Sequence, residues 1–406
     1  MVRVARLMQR RGGVVVSTRR PFGGLDRLRR GPLKADAFSS TLHSQRLAAM
    51  LGIALGVSFS VCFVTGLLSD LIQTPPAWFT WPARPVGLYR VTQGLHVATG
   101  FASIPLLLAK LWIAYPRLWA WPPVAGLLHL VERISLIPLV GGSLFLLFTG
   151  VLNIGFWYPW SFFFPTGHYW AAWITIGALV VHIGAKATVA RHALGRGQSR
   201  SLKEGSHAGG LSRRGFLGAV TGAVGLITLT TAGQTFSPLR RLAFLAPYVP
   251  GVGPQGFPVV GTPNADTVDL AENVGAYRLT VAGAVEEPLE LSLEELQALP
   301  QHEADLPISC VNGWSQTLRW KGVRLADLVA MAGAPSDSSV TVQSLQPGTY
   351  DVSLVNPVQL QDPDTMLALE VSGEPLHVDH GFPVRLIGPN RPGVTNTKWV
   401  QKVTVD

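Results

Sequence analysis

The sequence predicts a multi-domain membrane protein, in which an all-α bundle of four transmembrane helices is followed by a fifth transmembrane helix and an α+β domain. Long apolar runs are concentrated before residue 235, and strand-like segments with short helices follow from about residue 262. Only 14% of the 406 residues are charged, and the net charge is +9. The basic residues lie mainly between the apolar runs, so this charge indicates membrane topology and membrane lipid as a partner, with no role for nucleic acid.

Five apolar runs are each close to the length that crosses a membrane. About 20 apolar residues in a helix span a hydrocarbon layer of about 30 Å. The runs comprise residues 47–72, 91–114, 134–154, 169–190 and 216–232. We therefore expect a four-helix membrane domain at residues 47–192 and a fifth transmembrane helix at residues 215–234.

The distribution of positive charge predicts the orientation of these helices. Residues 1–46 are basic and lack apolar periodicity, which is typical of a cytoplasmic tail. The second and fourth connections carry Lys and Arg, whereas residues 155–168 carry none. The positive-inside rule places the N-terminus of this multi-pass chain in the cytoplasm, and five crossings place the C-terminal domain on the extracytoplasmic side of the cell membrane.

The C-terminal domain is predicted to occupy residues 262–406, after a Pro- and Gly-rich linker at residues 235–261. Strands are expected at residues 277–281, 283–285, 307–311, 339–344 and 366–371. Short helices are expected at residues 292–299, where Ser292 and Glu295 form a capping box, and at residues 325–332. Mixed strands and short helices favour an α+β fold.

Cys310 is the cysteine of this polar domain, whereas Cys62 lies within an apolar run, so the two are not expected to form a disulfide. A lone cysteine at a strand end is commonly a small buried core residue. A thiolate is also a soft ligand for a metal centre. The residue type alone leaves both interpretations open.

The sequence around Cys310 resembles the sulfite-oxidase family of molybdopterin enzymes. Cys-Val-x-Gly-Trp-Ser begins at Cys310 and is followed by Trp320 and Gly322. About seventy residues later, the stretch from His380 to Val405 is similar to the family's closing cofactor-binding segment. This resemblance, which covers about residues 257–406, implies a molybdenum–molybdopterin cofactor whose metal is ligated by the Cys310 sulfur.

The same resemblance implies roles for other residues of the domain. Tyr350 falls where sulfite-oxidising members carry a tyrosine near the metal, so we expect it to be catalytic with Cys310. Cofactor-binding positions of the family fall at His380, Arg385, Asn396, Thr397, Lys398 and Ser344. An Arg fork and a Lys charge suit the terminal phosphate of the pterin, although either residue is commonly a solvated charge at a strand edge.

Substrate identity does not follow from this resemblance. The sulfite-oxidising members surround their anionic substrate with arginines, and the candidates here are Arg319, Arg324 and Arg391. None of them lies in a convincing sulfite motif, and the long dimerisation domain of the animal enzymes is absent.

Four histidines in the helical region are candidate haem-iron ligands. His96 and His168 are expected near the outer surface, and His43 and His182 near the inner surface. His168 and His182 are fourteen residues apart, so they share one helix face about 21 Å apart along the axis. Level pairs of His96 with His168 and of His43 with His182 would suit two stacked b-type haems, whereas hydrogen-bonded bundle histidines are the alternative.

The four-helix block also resembles the di-haem cytochrome subunits of membrane formate dehydrogenases and hydrogenases. The stretches YRVTQGLH and HYWAAWITIGALVVH carry this resemblance. It implies two b-type haems bound by histidines of the first, second and fourth helices.

Residues 193–214 are predicted to be a cytoplasmic linker that ends in a twin-arginine signature. Ser212, Arg213, Arg214, Phe216 and Leu217 match it, and a mildly apolar run follows. The twin-arginine export machinery carries folded proteins, which a domain loaded with cofactor in the cytoplasm would require. A basic pair that only orients a helix is the alternative.

Together these observations predict a membrane-anchored molybdenum oxidoreductase. A small-molecule substrate would undergo oxygen-atom or two-electron chemistry at Cys310, and the b haems would exchange electrons with the quinone pool or a redox partner. Two alternatives are a molybdenum enzyme with a haem-free anchor and a separate redox partner, and a non-catalytic scaffold with a molybdopterin-like fold.

Overall fold

The computed structural model describes residues 40, 42–119, 124, 126–195, 211–260 and 276–406, apart from the side chains of residues 128 and 237. The predicted basic tail and the linker before the fifth helix therefore lie mostly outside the described residues. Within the described part, the chain forms a helical N-terminal region with five long apolar helices and a C-terminal α+β domain.

Five long helices coincide with the five apolar runs and confirm that each run is helical. They are α1 (Gln45–Gln73), α2 (Leu88–Leu118), α3 (Leu127–Ile154), α4 (Phe164–Leu194) and α5 (Arg213–Ala232). Ser44 and Ser212 cap α1 and α5 by accepting a hydrogen bond from the backbone N–H three residues ahead. All five are long and apolar enough to cross a membrane.

The helices pack in pairs that are only partly consecutive in the chain. Helix α1 packs on α2 and α4, α3 packs on α4, and α5 packs on α2. Ser58 and Ser103 link α1 to α2, because the Ser58 hydroxyl donates to the Thr99 carbonyl and the Ser103 hydroxyl donates to Ser58, each at 2.9 Å. Small polar side chains of this kind let helix backbones approach closely.

Two five-stranded sheets form the frame of the C-terminal domain. The first has the order β2 (Leu289–Ser292), β1 (Arg278–Gly283), β10 (Val400–Val405), β5 (Val340–Ser344) and β6 (Val352–Val355). The second has the order β3 (His302–Ser309), β4 (Ser315–Arg324), β7 (Met366–Val371) and β8 (Glu374–Pro375), and β9 (Arg385–Ile387) also pairs with β7. The short helices are α6 (Leu293–Ala298), α7 (Leu325–Met331) and α8 (Pro357–Leu360).

Most of the predicted elements of this domain agree with the structure. The capping box of Ser292 and Glu295 begins α6, and β7 has the predicted bounds. Strand β4 was not predicted from the sequence. Its residue Trp320 is fully buried and donates through Nε1 to the Leu306 carbonyl at 3.2 Å. No strand forms at residues 283–285 as expected. Strand β1 ends at Gly283, because this glycine has a φ of 105° and the chain turns there.

The connection between α1 and α2 docks the C-terminal domain on the helices. Asn390 of the C-terminal domain lies at the centre of this contact. The Asn390 carbonyl accepts from Trp81 Nε1 at 2.9 Å, and the Asn390 side-chain oxygen accepts from the Tyr89 N–H at 2.6 Å. Arg84 forms a second anchor with both carboxylate oxygens of Asp362, at 2.7 and 2.9 Å, and it also reaches Asp364. The geometry of this fork makes the contact specific.

Arg84→Gln is expected to loosen this docking, because Asp362 is buried and would lose its charged partner. We expect amide hydrogen exchange in residues 74–87 to become about tenfold faster, which corresponds to about 1.4 kcal/mol. Arg319→Gln is the matched control, since its pair with Asp305 is exposed and lies away from the helices. Equal exchange in the two variants would show that Arg84 has no docking role.

This contact also predicts a pH dependence. Burial favours a higher pKa for Asp364, but hydrogen bonds from His302 and Arg84 outweigh it and hold the pKa below its ordinary value of 3.8. A lowered folded-state pKa stabilises docking above pH 3.8, and this contribution is lost as the pH falls through the folded-state value. Hydrogen exchange of the same segment at acidic and neutral pH measures it.

Candidate functional site

Cys310 lies in a tight turn between β3 and β4, which we call the cysteine loop (residues 310–314). The turn closes through hydrogen bonds from Cys310 N to the Trp314 carbonyl at 2.9 Å and from Gly313 N to the Cys310 carbonyl at 3.0 Å. Gly313 has a φ of 92°, a conformation that favours glycine. The Cys310 side chain is buried, and this burial raises the pKa of its thiol to about 11.

The helical region holds the cysteine loop directly. Gln93 of α2 donates through Nε2 to the Val311 carbonyl at 2.6 Å. Asn312 donates through Nδ2 to the carbonyl of Asn153, in the last turn of α3, at 2.9 Å. The same Asn312 accepts through Oδ1 from Cys310 Sγ at 3.2 Å. Cys310 is therefore positioned from both the sheet and the helices.

Arg385, which is buried, and Lys398, which is half-buried, form a cationic cradle close to Cys310. Arg385 is 3% exposed and donates through Nη1 to the His380 carbonyl at 2.8 Å. Burial lowers the pKa of Arg385 to about 10. Burial, together with the neighbouring Arg385, lowers the pKa of Lys398 to about 7. Two cations held this way favour an anion as their common partner.

Unpaired polar atoms beside this cradle test whether a pterin cofactor fits. Arg385 Nε, His380 Nε2 and both amide atoms of Asn396 are buried without a hydrogen-bond partner among the described residues. Buried polar groups of this kind normally have a partner. Phe257 stacks on His380 with ring centroids 3.5 Å apart, which adds a flat aromatic wall. The donors, acceptors and positive charge fit a polar ring system that carries a phosphate.

One cavity of about 880 Å³ joins this site to the helices. Its walls include most of the residues predicted from the sequence, namely Cys310, Tyr350, His380, Arg385, Asn396, Thr397, Lys398, His96 and His168. His96 and His168 face each other across it, with ring centroids 6.4 Å apart. The structure therefore brings the predicted molybdenum ligand and the predicted outer histidine pair to the same cavity.

Three other predicted residues do not line this cavity. Ser344 ends β5, and its hydroxyl accepts from Gln346 N at 3.0 Å. His43 lies against α2, with its ring 4.7 Å from that of Trp112. His182 lies on α4, and its Nδ1 is buried without a hydrogen-bond partner among the described residues.

The three candidate substrate arginines also lie away from the cavity walls. Arg319 is exposed and pairs with Asp305 at 3.3 Å. Arg324 Nη2 lies 3.1 Å from His302 Nδ1. Arg391 is buried, where it donates to the Gln359 side chain and to the carbonyls of Leu354 and Thr395. Each of them has a structural partner.

Sequence reasoning missed the residues that connect the two regions. Asn312 occupies the variable position of the cysteine motif, and nothing else in the sequence indicated that its side chain contacts the helices. Tyr158, in the connection between α3 and α4, lines the cavity and donates to Asn153 Oδ1 at 2.8 Å. Burial raises the pKa of Tyr158 to about 12, so the hydroxyl is neutral at physiological pH. Nothing in the sequence around Asn153 and Tyr158 indicated a contact with the distant Cys310.

Comparisons with known proteins give the family of the C-terminal domain. The model of the oxidoreductase molybdopterin binding domain matches residues 265–406. The uncharacterized oxidoreductase YuiH of Bacillus subtilis is 32% identical over 148 residues, which cover 36% of this chain and 72% of YuiH. Mitochondrial sulfite oxidase of Mus musculus is 33% identical over 158 residues, which cover 32% of this chain and 29% of the mouse protein.

A third relative is the putative protein-methionine-sulfoxide reductase subunit YedZ1 of Azospira oryzae. It is 30% identical over 133 residues, which cover 33% of this chain and 50% of the Azospira protein. The chain thus spans half or less of two of these relatives and most of YuiH. The chain belongs to the family of molybdopterin-dependent oxidoreductases that carry this domain, as its match over most of YuiH shows.

Proposed function

We propose that this protein is a membrane-anchored molybdenum oxidoreductase that exchanges electrons with the quinone pool through b-type haem in the same chain. The observation that carries the proposal is the single cavity lined by Cys310 and by the facing pair of His96 and His168. A redox reaction at Cys310 would then have an electron acceptor or donor within the molecule.

The Cys310 sulfur would ligate molybdenum, and the cationic cradle would bind the pterin. Arg385 and Lys398 would neutralise the phosphate, while Asn396, Thr397 and His380 would make polar contacts with the rings. When bound, the cofactor supplies oxygen-atom or two-electron chemistry. Tyr350 lines the same cavity and is placed to contact substrate, while Ser344 would act only from outside the cavity wall.

The hydrogen bonds of the outer histidine pair support their role as haem ligands. His96 donates through Nδ1 to the Cys62 carbonyl at 2.8 Å. His168 Nδ1 lies 3.3 Å from Thr149 Oγ1, whose own hydrogen goes to the Phe145 carbonyl at 2.8 Å, so the ring donates to Thr149. Each ring is held at Nδ1, which leaves the Nε2 lone pair for a metal.

The separation of the two rings supports the same assignment. Two imidazoles that bind one metal from opposite sides have ring centroids about 6 Å apart, because each metal–nitrogen bond is about 2.0 Å. The observed distance is 6.4 Å. Haem bound there would supply one-electron transfer. Phe164 lies between this pair and Tyr158, with its ring 5.0 Å from His168 and 6.3 Å from Tyr158.

Gly66→Ala is expected to reduce haem binding at the outer site. A Cβ at Gly66 would lie 2.7 Å from His96 Cε1, so the ring would have to move, whereas a Cβ at Gly56 on the same helix would meet nothing within 4 Å. Displacing a ligand in this way costs about 10- to 100-fold in affinity. A reduced-minus-oxidised spectrum should lose amplitude in Gly66→Ala and keep it in Gly56→Ala. Equal spectra would contradict the role given to His96.

A second haem between His43 and His182 remains part of the proposal. The buried His182 Nδ1, which has no hydrogen-bond partner among the described residues, supports a ligand at this level. The His43 ring lies against Trp112 and donates through Nδ1 to the Ile113 carbonyl of α2 at 3.3 Å. His182→Ala should remove one b-type spectral component. A full haem complement in that variant would contradict the second haem and reduce the proposal to the outer haem.

We also propose the membrane topology predicted from charge, with the N-terminus in the cytoplasm and the molybdopterin domain on the extracytoplasmic side. The length and composition of the five helices support it. Arg213 and Arg214 begin α5 directly after the capping Ser212, so they are available to the twin-arginine export machinery before insertion. Membrane lipid would contact the exposed apolar side chains of α1 to α4.

Metal and haem analysis of the detergent-purified full-length protein tests the proposed function. We expect about one molybdenum per chain together with a b-type spectrum. Molybdenum without haem would make the helices an anchor and require a separate redox partner. Neither group would favour a non-catalytic scaffold and overturn the proposal.

A further inference from the structure

The charged side chains on the cavity wall are few, and their positions restrict the substrate. Apart from the histidines, the charged residues that line it in the described part of the chain are Arg385, Lys398 and Asp70. Both cations belong to the cradle, where the phosphate of the proposed cofactor would neutralise them. The remaining charge is an acid, so an anionic substrate would find no free cation on this wall.

The walls near Cys310 instead offer neutral hydrogen-bond donors and apolar surface. Trp314 is 3% exposed, lines the cavity, and its Nε1 has no hydrogen-bond partner among the described residues. Tyr350 adds a hydroxyl group whose pKa is raised by burial. Tyr158 lines the same wall, but its hydroxyl already donates to Asn153 Oδ1. Phe156, Phe162 and other aromatic residues of the α3–α4 connection complete the wall on the helical side. An unpaired anion would be strongly disfavoured here.

The helical region also covers the cysteine loop against large substrates. The hydrogen bonds from Gln93 and Asn312 hold the loop against α2 and the end of α3. The contact is close, because a Cβ at Gly313 would lie 3.0 Å from Val97 Cγ2. Cys310 itself is 8% exposed. A side chain on a folded protein has no open surface at Cys310 to approach.

We propose that the substrate of the Cys310 site is a small, uncharged and largely apolar molecule that carries a hydrogen-bond acceptor. This inference rests on the proposed function, because it takes molybdenum on Cys310 as the reactive centre. It excludes both a free anion and a protein side chain as the preferred substrate.

Binding of unreactive sulfones to the molybdenum-loaded full-length protein tests this inference without turnover. Methyl phenyl sulfone is uncharged, and 4-(methylsulfonyl)benzoate adds one negative charge to nearly the same shape. Each is titrated against the electron paramagnetic resonance signal of the Mo(V) state, and the shift of that signal gives a Kd. We expect the neutral probe to bind about 10- to 100-fold more tightly, and a folded protein that carries methionine sulfone not to compete with it.

Two lysine variants show whether wall charge sets this preference. Val352 lines the cavity and is 51% exposed on the edge strand β6, so Val352→Lys adds a cation at the wall. Val358→Lys is the control, since Val358 is 50% exposed in the same domain but does not line the cavity. We expect Val352→Lys to reduce the preference for the neutral probe about tenfold and Val358→Lys to leave it unchanged.

Equal binding of the two probes to the unaltered protein would overturn the inference, as would the same probe preference in both lysine variants. Absence of any spectral shift with the neutral probe at its solubility limit would also overturn it. The molybdenum content is measured first. A preparation without molybdenum contradicts the proposed function itself, whereas anion binding to a molybdenum-loaded protein contradicts only the substrate class.

Discussion

Replacement of Cys310 by serine is expected to lower turnover by more than about 100-fold. Loss of a residue that only supports a metal ligand costs up to about 100-fold, and loss of the ligand itself should cost more. The cysteine loop is held from both sides, so the variant should fold with its turn intact. A serine oxygen in this buried position is a harder and less readily ionised ligand than sulfur. Activity and the Mo(V) resonance spectrum measure the loss.

The pterin content separates loss of the metal bond from loss of the whole cofactor. Arg385, Lys398 and Asn396 remain in Cys310→Ser, so we expect pterin to be retained while the Mo(V) spectrum changes. Cys62→Ser removes the other thiol and is expected to leave the molybdenum content and that spectrum unchanged. Full activity in Cys310→Ser would refute ligation of the metal by this residue.

Replacement of His168 by alanine is expected to remove the outer b-type component of the spectrum completely. The variant deletes the Nε2 donor opposite His96 and leaves a space the size of an imidazole ring. Added imidazole should therefore restore part of the component, which a merely structural role for His168 would not predict. Molybdenum content should stay unchanged, because Cys310 and the cationic cradle are intact.

The matched control for this variant is His192→Ala. His192 lies in the last turn of the same helix and is exposed. We expect its spectrum to be unchanged. If His168→Ala keeps the full haem complement, the pairing of His96 with His168 is refuted, and the haem would have to be bound by other residues.

The sequence predicted the elements whose signals are local. The apolar length of each run gave α1 to α5, the Ser292 and Glu295 capping box gave the start of α6, and the motif at Cys310 gave the family that the comparisons support. Histidine spacing predicted that His96 and His168 would lie at one level, and the structure places their ring centroids 6.4 Å apart.

Contacts between distant segments could not be predicted in this way. Asn390 and Trp81 are 309 residues apart, and Asn312 and Asn153 are 159 residues apart. No periodic pattern connects such pairs, since their meeting depends on how the C-terminal domain sits on the helices. The aromatic residues that the helices add to the cavity wall depend on the same docking, so the proposed substrate class also could not be inferred from the motif.

The docking through Asn390 and Arg84 also bears on why the two regions occupy one polypeptide. Tethering converts their association into an intramolecular event, with an effective concentration in about the millimolar range for a short flexible connection. A few hydrogen bonds and one ion-pair fork then suffice to keep the regions together. Were the same regions made as two separate chains, their pairing would depend on abundance, and electron exchange would fall with dilution in the membrane.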